Sequence, residues 1–177
     1  MSSKKDKHYL NLALNLAKNM EGLTGTNPSV GSVLVKNDEV ISLASTGYNG
    51  TPHSEFSLLN KIDKKIAKDS SLYVTLEPCS HYGKTPPCTN IIIDKKISRL
   101  VFGAHDIDER SSKKAKQVLK SKKVKVLNVN VPTITEFYKP YIFQRKYKRP
   151  YVIGKIACSN DFFIKSLKSK YISNTYA

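Results

Sequence analysis

His53, Cys79 and Cys88 are scattered along the chain, yet together they make chemical sense only if the fold brings them to one point. Imidazole and thiolate are the ligands zinc prefers. A catalytic zinc site takes three protein ligands and leaves a fourth position open. Glu55, two residues beyond His53, can reach that open position without being a ligand. Any fold available to this chain therefore has to join the segment at residue 53, the segment after Pro78 and the segment at Cys88.

Local patterning shows how it can do so. Leu10, Ala13, Leu14 and Ala17 recur at helical spacing and predict a helix over about 6–21, followed by a loop from Gly22 to Pro28. Residues 30–35 and 40–44 read as strands joined by a turn over 36–39, a hairpin. Thr51-Pro52 reads as a helix start, with Thr as cap and Pro at the first helical position. Phe56, Leu59, Ile62 and Ile66 predict the buried face of that helix. Residues 72–76 form a short apolar strand pattern, and Thr85-Pro86 is a second helix start of the same kind, running into Ile91, Ile92 and Ile93. Further strands are predicted over 99–103 and 124–129, and helices over about 111–121 and 132–145. A helix, a hairpin and then alternating helices and strands predict a sheet sandwiched between helices. Residues 1–145 are read as one domain. Residues 146–177 form a basic C-terminal extension, strand-like over 151–156 and too short for a second domain.

On this layout His53 and Cys88 fall in the first turns of two helices, where free N–H groups and the positive end of the helix dipole favour thiolate over thiol. Cys79 follows a strand end, so all three ligands can meet at one sheet edge. Zinc lowers the pKa of water to about 7. Glu55 would then take and return protons while water replaces an amine on a heterocyclic ring, releasing ammonia. A closed structural site with His81 as fourth ligand is the alternative. His8 and His105 have no partner pattern and read as ordinary surface or core residues. Cys158 lies outside the constellation and reads as a small packed residue.

Composition bounds the setting. The 177 residues suffice for one domain with a substantial core. Three cysteines argue against a disulfide framework and for a reducing compartment. No apolar run approaches the roughly 18 residues of a membrane span, and Met1-Ser-Ser-Lys-Lys-Asp-Lys is not followed by a signal-peptide core. A cytoplasmic protein without a membrane partner is expected. The net charge of +16 is uneven: residues 1–110 carry 14 Lys/Arg against 12 Asp/Glu, and residues 111–177 carry 16 against 2. A basic half can bind nucleic acid, a phosphorylated substrate or an acidic partner. A solvated lysine-rich surface is the simpler reading, because the candidate ligands all lie in the balanced part.

The stretch Tyr73-Val-Thr-Leu-Glu-Pro-Cys-Ser-His-Tyr-Gly-Lys-Thr-Pro-Pro-Cys88 closely resembles the deaminase domain of the bifunctional riboflavin-biosynthesis deaminase/reductase family. Most zinc nucleoside, nucleobase and tRNA deaminases place two residues between these cysteines; here there are eight. Tyr9 to Lys18, Asn27-Pro28-Ser-Val-Gly31 and His53-Ser-Glu55 match as well, so the resemblance spans essentially residues 6–165. It implies an α/β protein with a cytidine-deaminase-like fold, a three-layer α/β/α sandwich around a mixed five-stranded sheet. It implies Zn2+ on His53, Cys79 and Cys88, Glu55 as catalytic proton shuttle, and Asn27, His81, Lys84 and Asp106 as substrate-binding residues. The small-molecule substrate would be a pyrimidine ribosyl phosphate, 2,5-diamino-6-ribosylamino-4(3H)-pyrimidinone 5′-phosphate, whose 2-amino group is replaced by oxygen.

The departures cluster. The second His of the family's His-Ala-Glu-Val-His is Ser57, and a family His before the zinc motif is Thr46. The family's Asp-Pro-Asn-Pro segment is Asp106-Ile107-Asp108-Glu109, and the glycine-rich stretch after it is Ser111-Ser-Lys-Lys. These positions concern ribose and phosphate rather than metal. Arg149 to Asp161 resembles the opening strand of the family's reductase domain, with Ser159-Asn-Asp-Phe162 where Ser-Leu-Asp-Gly is usual. The rest of that domain is not in the sequence, so neither a nicotinamide cofactor nor reductase activity is expected. A second copy of the chain or a separate reductase is the expected protein partner. A deaminase of another base or of nucleic acid, and a non-catalytic partner pairing through residues 150–156, are the competing functions.

Overall fold

Tyr9, Leu10, Ala13, Leu14 and Ala17 fall on one stripe of an α-helix, and helix α1, Lys4–Lys18, buries that stripe. The computed structural model describes residues 4–83, 85–110, 114–158 and 162. Beneath α1 lies a five-stranded sheet ordered β2-β1-β3-β4-β5, with β1 at Gly31–Lys36, β2 at Glu39–Ser45, β3 at Ser71–Leu76, β4 at Arg99–Ala104 and β5 at Lys125–Asn128. Helix and sheet approach closely because residue 31 has no side chain: a Cβ there would lie 1.9 Å from the Ala13 carbonyl oxygen. The buried Asp6 on α1 pairs with Arg99 on β4 at 2.8 Å and accepts the Tyr73 hydroxyl of β3 at 3.0 Å, so its charge is compensated.

The β1–β2 hairpin turns through Asn37 and Asp38, both at positive φ (52° and 65°), the backbone a two-residue turn between twisted strands requires. Strand β3 is the pivot of the sheet. It pairs antiparallel with β1 (Ser32 opposite Val74) and parallel with β4 (Leu72 opposite Leu100), and β4 runs parallel to β5. Side-chain alternation assigns the layers. Tyr73 and Thr75 face α1 and α6 (Pro132–Tyr147), contacting Tyr9 and Tyr138. Ser32 faces the other way and meets Ser54 of α2 (Ser54–Leu59). Helices α2, α4 (Cys88–Asp94) and α5 (Lys114–Ser121) contact one another in turn to complete that layer. The three-layer sandwich around a mixed sheet is therefore the observed fold. Leu10, Leu72, Leu100, Phe102 and Ile134 are wholly buried between its layers, and truncating any of them costs about 2–5 kcal/mol.

Several local expectations need correcting. Thr51 and Pro52 do not open a helix: the Pro52 carbonyl accepts from the Gly47 N–H, which closes a turn there, and His53 is the N-cap of α2. Likewise Pro87, not Thr85, precedes α4, so Cys88 is its first residue. The face Phe56–Leu59–Ile62–Ile66 does not exist as one surface. Asp63 caps a separate short helix α3, Lys64–Ala67, by accepting from Lys65 N at 2.7 Å, and this breaks the periodicity. Phe56 and Ile66 are exposed, while Ser54, Glu55, Leu58 and Leu59 are the buried residues of α2. Residues 151–158 are irregular and exposed rather than a strand, since they find no sheet edge to pair with; Cys158 is exposed there, not packed. Among the described residues no helix is long and apolar enough to cross a membrane.

Candidate metal centre and active site

The C-terminal end of β3 hands the chain to Glu77, Pro78 and Cys79, and the N-termini of α2 and α4 point at the same spot. There the His53 Nδ1 lies 3.6 Å from the Cys79 Sγ and 3.4 Å from the Cys88 Sγ. The ligand atoms of the three residues all fall within 4.8 Å of one another. His81 is not a member of this group; it lines the adjoining cavity.

The electrostatics suit a cation. The backbone N–H of Cys88 donates to the Cys79 sulfur at 3.2 Å. Hydrogen bonds from Cys88 and His53 bring the Cys79 thiol down to about 4, while the bond to Cys79 lifts His53 to about 9. Cys88 moves the other way, pushed up because it donates to the Cys79 thiolate and is buried. Two sulfurs this close cannot both hold a negative charge without a positive centre between them, and a divalent metal supplies that charge. Donor set, spacing and charge thus fit zinc with one coordination position left for water.

Glu55 follows from the helix register. Two residues past the cap, its side chain folds into the pocket rather than outward, and it is buried. Its Oε2 accepts the Ser54 hydroxyl at 3.0 Å, and Ser54 meets the Ser32 hydroxyl at 2.6 Å. Burial, reinforced by the nearby Cys79 thiolate, raises the Glu55 carboxyl above the usual carboxylate range. A carboxyl whose protonated form is favoured in this way is suited to accept a proton and return it.

A cavity of about 300 Å³ opens in front of these residues, the size of a small nucleotide-like ligand. Asn27, His81 and Asp106 all line it. The Asn27 amide donates to the Gly50 carbonyl at 3.1 Å, which aims the side chain. Gly50 sits at φ +85°, and a Cβ there would lie 2.7 Å from the Asn27 Cβ, so the glycine makes room for the amide. Asp106 is raised by burial; its Oδ1 accepts from the Asp108 N–H at 3.1 Å and from the Tyr141 hydroxyl at 3.3 Å. Lys84 lies outside the described residues. Thr46 lines the cavity but is turned to the backbone, accepting from Val30 N at 3.0 Å.

Several cavity residues carry no signal in the sequence. Tyr141 and Arg145, four residues apart on α6, both reach the cavity. Nothing in α6 marks them, because its sequence lacks a motif. Arg110 is held to Asp108 through Nε at 2.9 Å and Nη2 at 2.6 Å, which depresses the Asp108 carboxyl strongly. Glu77, adjacent to the Pro78-Cys79 pair, lines the cavity and binds the His105 Nδ1 at 2.7 Å, so His105 does have a partner. Of these residues Glu77 alone has a mark in the sequence, its place beside the ligand.

Comparison with known proteins agrees with this geometry. Residues 3–104 match the family described as the cytidine and deoxycytidylate deaminase zinc-binding region. A riboflavin biosynthesis protein RibD of Aquifex aeolicus is 38% identical over 175 residues, covering 96% of this chain and 48% of that protein. A diaminohydroxyphosphoribosylamino-pyrimidine deaminase of Buchnera aphidicola is 38% identical over 122 residues, 69% of this chain and 82% of that protein. The structure of Acinetobacter baumannii RibD superposes with a TM-score of 0.77 at 30% identity, over 84% of this chain and 42% of that one. The chain thus spans about half the length of the RibD relatives it matches.

Proposed function

The chain belongs to the zinc-binding cytidine and deoxycytidylate deaminase family, in the branch of the riboflavin-biosynthesis deaminases, and from that premise we propose that it hydrolytically deaminates 2,5-diamino-6-ribosylamino-4(3H)-pyrimidinone 5′-phosphate. The observation that carries this is the buried Glu55 beside the His53–Cys79–Cys88 group at the floor of a nucleotide-sized cavity. His53, Cys79 and Cys88 would hold zinc. Zinc in such a site supplies a water acidified to near neutrality.

The protein's own groups do the rest. Glu55 takes one proton from the water and delivers it to the ring nitrogen next to the attacked carbon; it then takes the remaining proton from the new carbon-bound hydroxyl, which becomes the carbonyl, and passes it to the amine, which departs as ammonia. The Asn27 amide offers both a donor and an acceptor to the pyrimidine edge. His81 borders the ring from the loop between the two cysteines. The Asp106 carboxylate accepts from a ribose hydroxyl, and Lys84 is assigned to a carbonyl or phosphate oxygen. The hydrolase unit is assigned to residues 1–145. The match to the Aquifex protein covers 96% of this chain and so runs on into the basic segment 146–177, which supports reading that segment as the entry to a reductase-like unit. A separate reductase or a second copy would meet the chain there. The free thiols of Cys79, Cys88 and Cys158 support a reducing, cytoplasmic setting.

Purified protein loaded with zinc should release ammonia from the pyrimidinone phosphate, and chelation should abolish the release. Full zinc occupancy without turnover on this compound, combined with turnover on cytidine nucleotides or RNA, would overturn the substrate assignment.

A further inference from the structure

The cavity is lined by two guanidinium groups, and they are not equivalent. Arg110 is clamped on both sides of its fork by the Asp108 carboxylate, at 2.9, 3.2 and 2.6 Å, so its charge is neutralised. Among the described residues, Arg145 has no carboxylate within ion-pair distance. Its Nη2 donates to the Thr26 carbonyl at 3.3 Å, its guanidinium sits 5.6 Å from the Tyr141 ring centre, and its Nε is buried with no hydrogen-bond partner. A guanidinium held in place, paired with no carboxylate and standing on the wall of a cavity suits an oxyanion, because a guanidinium binds phosphate through paired N–H groups.

The groups that share the cavity with Arg145 say which oxyanion. His53 and Glu55 lie at the metal end. Asp106 lines the same cavity, and its Oδ1 accepts from the Tyr141 hydroxyl at 3.3 Å. Arg145 stands one helical turn beyond Tyr141 on α6. One cavity thus brings together a metal site, a carboxylate, an aromatic ring and a guanidinium paired with no carboxylate, the chemistry that a base, a sugar and a phosphate call for in a ribosyl phosphate. We propose that Arg145, from helix α6, anchors the terminal phosphomonoester of the substrate, with Thr26 and Tyr141 holding its guanidinium in place. This rests on the deaminase assignment above only for the identity of the base. The phosphate site itself is a property of the cavity.

The test separates the two. Binding of ribose 5-phosphate to the zinc-loaded full chain is measured by calorimetry, with ribose as control, for the wild type, Arg145→Gln and Arg145→Lys. Arg145 is partly exposed at the C-terminal end of its helix, so the variants should fold, and melting curves verify this. The wild type should bind ribose 5-phosphate at millimolar concentration. The Gln variant should weaken that binding about tenfold or more and the Lys variant less, with ribose unaffected. In turnover of the pyrimidinone phosphate, the Gln variant should raise KM by a similar factor and leave kcat within about threefold, the pattern of lost ground-state binding. Ribose 5-phosphate that fails to bind the wild type, or binds the Gln variant equally well, would overturn the proposal while leaving the deaminase assignment standing. Arg145-dependent binding without any ammonia release would sink the deaminase assignment and keep the phosphate site. A fall confined to kcat would also overturn the anchoring role.

Discussion

The two ends of the cavity are built from different materials. At the metal end, His53, Cys79 and Cys88 come from element starts and a strand end, and two of them lie in one sixteen-residue stretch, 73–88. At the other end, Asp106, Arg110, Tyr141 and Arg145 come from the loop after β4 and from the last turns of α6. On the proposed function the first end does the chemistry, which demands particular donor atoms, and the second recognises the ligand's shape and charge. Reaction and recognition would then be carried by separate parts of the fold, and mutations can tell them apart.

The largest effect belongs to the metal end. Glu55→Gln should cut turnover by about 10³-fold while zinc content, measured by elemental analysis, stays at one equivalent. Cys88→Ser should lose both zinc and activity. If Glu55→Gln lost its zinc as well, the division between ligand and proton carrier would collapse.

A smaller effect is expected at Asp106. Asp106→Asn removes a charge assigned to a ribose hydroxyl and should lower kcat/KM about 10- to 100-fold. Burial raises the Asp106 carboxyl in the folded protein, so the fold disfavours its ionised form. The wild type therefore gains stability relative to the Asn variant below the unfolded pKa and loses it as pH rises through the higher folded value. At pH 7 the Asn variant should melt at the higher temperature, and the gap should close as the pH falls toward the ordinary value of 3.8. A variant melting lower at pH 7 would mean that Asp106 holds the fold rather than a ligand.

The smallest effect sharpens the boundary. Gly50→Ala pushes a methyl against Asn27 and strains a backbone at φ +85°. It should raise KM about 3- to 10-fold through the displaced amide, with zinc content and kcat nearly unchanged. A comparable loss in Asn27→Ala, with no additivity in the double variant, would show that the glycine acts through that amide.

The same contrast governs which features are legible in the amino-acid sequence. The ligands and Glu55 are legible because a zinc site demands fixed residue types. The sheet is legible because β1, β3 and β4 are continuous apolar runs whose neighbours cover both faces. Helix boundaries are not. Thr51-Pro52 and Thr85-Pro86 look like caps, yet the chain uses those residues in turns that deliver His53 and Cys88 to the metal end. Arg145 is invisible for a different reason. Its proposed role is read from the contrast with Arg110, which Asp108 occupies, a contact between residues that carry no motif together. The strand pattern over 151–156 goes unfulfilled because propensity alone supplies no partner edge within the described chain.

Helix α6 carries one more consequence. Ile134 and Tyr138 are buried, and the Tyr138 hydroxyl meets Thr75 at 2.6 Å and Ser29 at 2.9 Å, fastening the lower turns to β3 and to the segment before β1. Tyr141 and Arg145 ride on the next turns of the same rod. Tyr141 packs against the same core while its hydroxyl reaches Asp106, so it serves both the helix and the cavity. Arg145 stands one turn further on, where a replacement leaves the Ile134 and Tyr138 anchor untouched, so the far wall of the cavity can be varied on an unmoved helix.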